Sequence, residues 1–216
     1  MYEQLGLWDY PENSKPTEKQ SQLAAESLLL PDGDVVIYRA LFDEKESNQL
    51  FIELYNNTKW RQESIKIYGK SVPIPRLTAW YGDSNQLYTY SKIAMSPEAW
   101  TPPLLEIKSK IESLSGVQFN SALLNLYRSG SDSVAWHSDD EPELGNNPII
   151  GSVSFGGTRQ FMFRHKYKKD LKKKVNLTCG NFLIMRGTTQ HFWQHQIPKT
   201  AKPVEPRINL TFRVIK

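Results

Sequence analysis

With 216 residues, 39% of them hydrophobic and 12% aromatic, the chain can bury the core of one large domain, which excludes a disordered protein. No run approaches the ~18 apolar residues of a membrane-spanning helix, the opening MYEQLGLWDY lacks the order of a signal peptide, and the single Cys179 excludes an internal disulfide framework and fits a reducing compartment. A formal charge of +4 and a pI near 9.0 bias the chain modestly towards anionic partners.

Polar residues and proline crowd 9–32, so residues 1–32 read as a flexible arm. Gly33 to Phe42 read as a strand entering a turn. Over 45–57, Leu50, Phe51, Leu54 and Tyr55 fall on one helical stripe. Residues 60–76 read as a hairpin followed by a proline-rich passage. Ser96-Pro97-Glu98 reads as one helix start and Pro102-Pro103 as another; after the second, Leu104, Ile107, Ile111 and Leu114 recur at helical spacing up to Gly116. From Phe119 the period becomes two, with Leu123, Asn125 and Tyr127 on one strand face. PIIGSVSFGG, RQFMFRH, KVNLTCG, NFLIMRG and INLTFRVI follow as further strands, and Cys179 reads as an inert residue in a buried strand or turn. Helices followed by many short strands make an α+β chain whose strand density suggests a barrel or sandwich. We expect one domain over 33–216, in which 33–118 precede a strand-rich core over 119–216.

Three patterns carry chemistry. Arg164 to Lys174 hold eight basic residues and one acid in eleven positions, which suits a solvated loop or a phosphate-binding face equally. Within this run His165 reads as a surface residue. On the last strand, Ile208, Leu210, Phe212 and Val214 alternate with Arg207, Asn209, Thr211 and Arg213; that polar face suits water, or a buried anion if it turns inward. His137 and Asp139 share a side because strand side chains have period two, and a third ligand must come from His165, His191 or His195. Two histidines and a carboxylate suit non-haem Fe(II), with zinc as the rival.

Taken in order, NLYRSGSDSVAWHSDDEPELG, SVSFGGTRQFMFRHK, WQHQIP and PRINLTFR resemble the AlkB family of Fe(II)- and 2-oxoglutarate-dependent dioxygenases over roughly 34–215, nearest its nucleic-acid-repair members. The resemblance implies a double-stranded β-helix (jelly-roll) core with N-terminal helices and a nucleotide-recognition lid. It implies that Fe(II), 2-oxoglutarate and dioxygen are used to demethylate N-alkylated bases such as 1-methyladenine and 3-methylcytosine in DNA or RNA, releasing formaldehyde, succinate and carbon dioxide. His137, Asp139 and His195 match its iron ligands. Asn125 and Tyr127 match 2-oxoglutarate contacts, and Asn209 lies on the same polar face as its two arginines. Arg207 matches the arginine near the carboxylate beside the chelating keto group and Arg213 the one at the far carboxylate, a division we leave open.

On the substrate side, Arg76, Trp80, Tyr81 and Tyr90 match the lid, although Trp80 reads equally as core. Trp136 adjoins the iron motif and faces the site only if its strand continues unbroken. Asp140 and Glu141 match acids near the target base, where a carboxylate favours a cationic methylated base; solvated loop acids are the other reading. Tyr68, in Ile67-Tyr68-Gly69-Lys70, resembles the aromatic wedge of duplex-active relatives, or is an ordinary turn residue. HSDDEPELG looks more like the relatives that favour single strands. Arg164, Lys166, Lys172, Lys173 and Lys174 are the candidate backbone contacts. Gln4 to Trp8 resemble short peptides that dock on sliding clamps, or form an anchor on the chain's own surface. The expected state is an intracellular monomer, in cytoplasm or nucleoid for a bacterium and in the nucleus for a eukaryote. The alternative function is a 2-oxoglutarate oxygenase acting on protein or lipid.

Overall fold

The computed structural model describes residues 25–84, 88–90, 93–95 and 97–216; Gln4 to Trp8 and the side chain of Tyr90 lie outside the described part. In chain order the elements are β1 (Ala25–Leu28), β2 (Asp34–Tyr38), α1 (Glu44–Asn57), β3 (Ser64–Ile67), β4 (Lys70–Pro73), β5 (Leu77–Gly82), β6 (Tyr88–Tyr90), β7 (Ile93–Met95) and α2 (Pro102–Ser115). There follow β8 (Ser121–Tyr127), β9 (Val134–His137), β10 (Ile150–Gly156), β11 (Arg159–His165), β12 (Lys172–Leu177), β13 (Asn181–Arg186), the one-turn α3 (Thr189–Phe192), β14 (Trp193–Ile197) and β15 (Arg207–Arg213).

Local chemistry sets both long helices. Asp43 and Glu46 close a reciprocal capping box at the start of α1. Pro102 and Pro103 occupy the first turn of α2, where a missing N–H costs nothing, and Gly116 ends it at φ 69. The apolar stripes, Leu50 and Leu54 on α1 and Leu104, Ile107 and Ile111 on α2, are buried.

They pack on a seven-stranded antiparallel sheet ordered β1-β2-β13-β10-β15-β8-β5. Ala122, Leu124 and Leu126 of β8, Val153 and Phe155 of β10, and Ile208, Leu210 and Phe212 of β15 meet the helices in one core. The opposite face meets a four-stranded sheet, β12-β11-β14-β9, through Tyr127, Phe161, Phe163, Leu183, Met185, Trp193 and Ile197. Helices, large sheet and small sheet thus make a jelly-roll α+β architecture. Its centre is polar because period two sends Asn125 and Tyr127 of β8, and Arg207, Asn209, Thr211 and Arg213 of β15, between the sheets.

Several expectations change. The arm does not extend to residue 32: Ala25 to Leu28 pair with β2 as the edge strand of the large sheet, and Leu28 is buried in the core. Strands from both sides of residue 118 share the large sheet, since β2 pairs with β13 and β5 with β8. Glu98 is not helical; it bridges Tyr81 beside β5. His165 is buried, not superficial: Nδ1 accepts the backbone N–H groups of Tyr167 and Lys168, and Trp193 packs edge-on against the ring. The basic run is not one solvated loop but the end of β11, a turn, and the edge strand β12.

Candidate active site

The small sheet brings together two strands that meet at His137 and His195, register partners between β9 and β14. Their rings lie 4.2 Å apart, and Asp139, two residues beyond His137, completes a cluster whose donor atoms lie within 4.8 Å of one another. Nδ1 of His137 lies 2.9 Å from the Ala135 carbonyl, where it can donate, which leaves Nε2 with a lone pair for a metal. Burial, then neighbouring His195, pushes the His137 imidazole down to about 4, so it is neutral at neutral pH. His195 stacks on Phe161 and its Nε2 lies 3.4 Å from Asp139.

Asp139 is buried yet ionised. Burial, the largest single effect, opposes its charge, but Arg213 and the neighbouring histidines, His195 first, together outweigh it and hold the carboxyl well below the usual range. Nη2 of Arg213 donates to Oδ1. Gln190, fully buried, accepts the Asp139 backbone N–H at 3.0 Å. His165 and His191 take no part in the cluster; His191 bonds Asn147 at the surface.

Behind the cluster, β8 and β15 line a cavity with Asn125, Tyr127, Asn209, Thr211 and Arg213, joined by Ser152 of β10. Arg207 is fully buried next to Tyr127, one of the residues lining it. One Arg207 nitrogen donates to Ser154 Oγ at 2.8 Å and the guanidinium lies 5.3 Å over the Tyr127 ring, but Nε and Nη1 have no hydrogen-bond partner. Burial pushes Arg207 down to about 10, so it keeps its charge at neutral pH. A buried cation with unused donors needs an anion to offset its desolvation. The donor set suits a six-coordinate divalent metal and the cation suits a carboxylate, so the residues present fit Fe(II) with 2-oxoglutarate. Of the two arginines, Arg213 lies at the metal cluster because it bonds Asp139, and Arg207 lies six residues back along β15.

Outside this cavity a groove runs between the β3–β4 hairpin and β5, lined among others by Lys59, Arg61, Arg76, Trp80, Glu98, Glu141 and Arg213. Trp80 donates to Ser121 Oγ at 2.8 Å. Tyr81 does not join it: on the opposite face of β5 it is buried in the helix-side core. One Glu141 oxygen is buried without a hydrogen-bond partner, and burial raises its pKa. Asp140 is drawn to Lys166 at 3.0 Å and lines neither space. The strand at Trp136 is not unbroken. A bulge between the His137–His195 and Val134–Ile197 pairs turns Val134 towards the cavity, while Trp136, next to the inward His137, alternates to the outer face under the Arg164 guanidinium at 4.5 Å. Tyr68 is fully exposed at the β3–β4 tip, and Lys172, Lys173 and Lys174 are exposed on edge strand β12.

Two positioning residues were missed by sequence reasoning. Gln190 carries no pattern of its own. Arg159, whose guanidinium donates to the carbonyls of Ser129, Asp132 and Pro198, was visible in principle: in RQFMFRH it shares the inward parity of Phe161 and Phe163.

Residues 19–213 match the model of the 2OG-Fe(II) oxygenase superfamily. The Alpha-ketoglutarate-dependent dioxygenase alkB homolog 3 of Bos taurus is 47% identical over 182 residues, covering 80% of this chain and 63% of that protein. Its Homo sapiens counterpart is 45% identical over 190 residues, covering 84% and 66%. This chain therefore spans just under two thirds of their length. The DNA oxidative demethylase ALKBH2 of Homo sapiens is 36% identical over 188 residues, covering 82% of this chain and 72% of that protein. The solved structure of OsALKBH1 shares the fold, with a TM-score of 0.64 at 16% identity over 88% of this chain and 100% of that one.

Proposed function

The chain belongs to the 2OG-Fe(II) oxygenase superfamily, in its AlkB family, and on that premise we propose that it is an Fe(II)- and 2-oxoglutarate-dependent oxidative demethylase of N-alkylated bases in DNA or RNA. The observation that carries the reading is a His137–Asp139–His195 cluster backed by a buried arginine with unused donors. His137, Asp139 and His195 would hold the iron. Arg213 and Arg207, with Asn125, Tyr127 and Asn209, would hold the 2-oxoglutarate. Bound there with dioxygen, Fe(II) and 2-oxoglutarate would supply the oxidising power to hydroxylate an N-methyl group, which would leave as formaldehyde, with succinate and carbon dioxide as the other products.

The chain's own residues supply shape and charge. Gln190 and Arg213 hold Asp139 from its backbone and its carboxylate. Phe161 covers His195 and keeps water from it. The outer groove receives the base, which must be flipped or unpaired to reach the cluster. There the carboxylate of Glu141 favours a cationic methylated base over its neutral parent. Arg164, Lys166 and Lys172 to Lys174 are the backbone contacts. An intracellular monomer, and a sliding-clamp contact through Gln4 to Trp8, complete the proposal. Among the described residues no helix is long and apolar enough to cross a membrane.

The test uses purified protein, Fe(II), 2-oxoglutarate, ascorbate and air with single-stranded DNA bearing one 1-methyladenine. Mass spectrometry should find a loss of ~14 Da from oxidative removal of the methyl group, absent for His137→Ala. No loss on DNA or RNA, from protein that binds both iron and 2-oxoglutarate, would overturn the nucleic-acid reading in favour of a protein or lipid substrate.

A further inference from the structure

Arg76 stands where the two spaces meet: with Leu123 and Arg213 it lines both the outer groove and the inner cavity. Its Nε donates to Oδ1 of Asn125 at 2.7 Å, and Nη1 approaches the Ser133 carbonyl at 3.4 Å. Asn125 is buried on β8, directly across from Asn209 on β15.

The chemistry of this contact is one-sided. A guanidinium carries five N–H donors and no acceptor, whereas an asparagine amide carries one acceptor end and one donor end. The end of Asn125 that meets Arg76 must therefore be the carbonyl oxygen. That fixes the other end as the amide nitrogen and its two N–H donors. An amide with no such neighbour can turn over, because its two ends have nearly the same shape. Turned over, Asn125 would present an acceptor to the cavity it shares with Tyr127, against whose ring the buried cation of Arg207 lies.

We propose that Arg76 is a positioning residue for the anion site. It locks the Asn125 amide with its N–H groups available to 2-oxoglutarate, while the same side chain forms part of the substrate groove wall. The proposal rests on the assignment of the inner cavity to 2-oxoglutarate.

The experiment is anaerobic calorimetric titration of the full chain, loaded with Fe(II), by 2-oxoglutarate. Arg76→Ala should weaken binding roughly tenfold, the range set by one charge-assisted hydrogen bond. Arg76→Lys, which keeps a donor of similar reach, should restore most of that loss. Asn125→Ala should weaken binding to a similar degree, and adding Arg76→Ala to it should cost little more, because both changes remove the same oriented donor. Wild-type affinity in Arg76→Ala, no rescue by lysine, or additive losses in the double variant would overturn the role. A wild-type chain that binds Fe(II) but no 2-oxoglutarate would overturn the cavity assignment, and the role of Arg76 with it. Melting curves without ligand separate either result from loss of fold.

Discussion

Arg213, at the end of β15 in the large sheet, donates to the buried carboxylate of Asp139, which follows β9 of the small sheet. The pair ties the two layers at the metal cluster and keeps Asp139 charged with or without a cation. Removing one partner of a buried pair costs about 3–5 kcal/mol, because the other charge is left unmatched. Arg213→Ala should lower thermal stability sharply and weaken Fe(II) binding, while Arg213→Lys, which keeps the charge but loses the planar fork, should recover stability only in part. Equal melting temperatures for wild type and Arg213→Ala would show that the bond is not formed in solution.

Gln190 acts on the same aspartate from behind. Its Oε1 takes the Asp139 backbone N–H, and its Nε2 lies 3.4 Å from Met185 Sδ. Supporting bonds of this kind are worth roughly 10–100-fold in metal affinity when lost. Gln190→Ala should therefore weaken Fe(II) binding in that range, measured by competition with a chelator, with no residue of the ligand set changed. Unaltered metal affinity would assign Gln190 to packing alone.

How far this site was legible differs from residue to residue. His137, Asp139 and the alternating β15 could be picked out because spacing alone places them, and the family resemblance chose His195 over His191. The strand-rich core followed from period two, and α1 and α2 from their apolar stripes and proline starts. Tyr81 and Trp136 went astray for one reason: both depend on which face a strand presents. Parity put Tyr81 on the helix side and sent Trp136 to the face opposite its neighbour His137, while a bulge that no residue pattern announces brought Val134 inward instead. His165 was misread because the lysines around it suggested water, whereas its ring nitrogen accepts two backbone N–H groups of the next turn. Gln190 was invisible because its contact joins residues 51 apart in sequence.

The approach to β9 should make the fold acid-sensitive. Asp132 is buried; burial opposes its charge, but the side chain and backbone N–H of Arg128, with Arg159 nearby, outweigh it and hold its pKa below the ordinary value. A carboxyl depressed in the folded state adds stability above its unfolded pKa and loses that contribution as pH falls through the folded pKa. Asp132→Asn should therefore reduce stability near neutrality by about 1.5–3 kcal/mol, the worth of a hydrogen bond to a charged group. The gap to wild type should narrow as the medium turns acid, below about pH 4. Denaturant melts at several pH values read it, and a gap independent of pH would remove Asp132 from the acid response.

Lys172, Lys173 and Lys174 have two physical uses. Lysines on an edge strand deter pairing with another sheet, and β12 is an edge. Lys172 and Lys174 also share a cationic face with Arg164, which pairs in register with Lys172, while Lys173 points to the other side of the strand. Replacing all three by alanine should lower oligonucleotide affinity and flatten its salt dependence, by roughly 0.7 in slope for each lost contact to a single strand. Unchanged affinity with increased aggregation would leave them as edge protection only.

Tyr68 offers the clearest view of duplex use. Ile67 and Lys70 pair across a two-residue turn in which Tyr68 and Gly69 have φ of 47 and 78. Such a turn prefers Asn-Gly, and a tyrosine there carries a backbone cost of roughly 1–2 kcal/mol. Its ring is fully exposed, so packing does not offset that cost. Tyr68→Asn keeps the turn, relieves its strain and removes the ring. The variant should melt no lower than wild type and demethylate a single-stranded substrate at the wild-type rate. If the ring fills the gap left by a flipped base, it should lose activity on the same lesion in a duplex. Equal loss on both substrates would place Tyr68 in the groove rather than in the duplex, and no loss on either would leave it an ordinary turn residue.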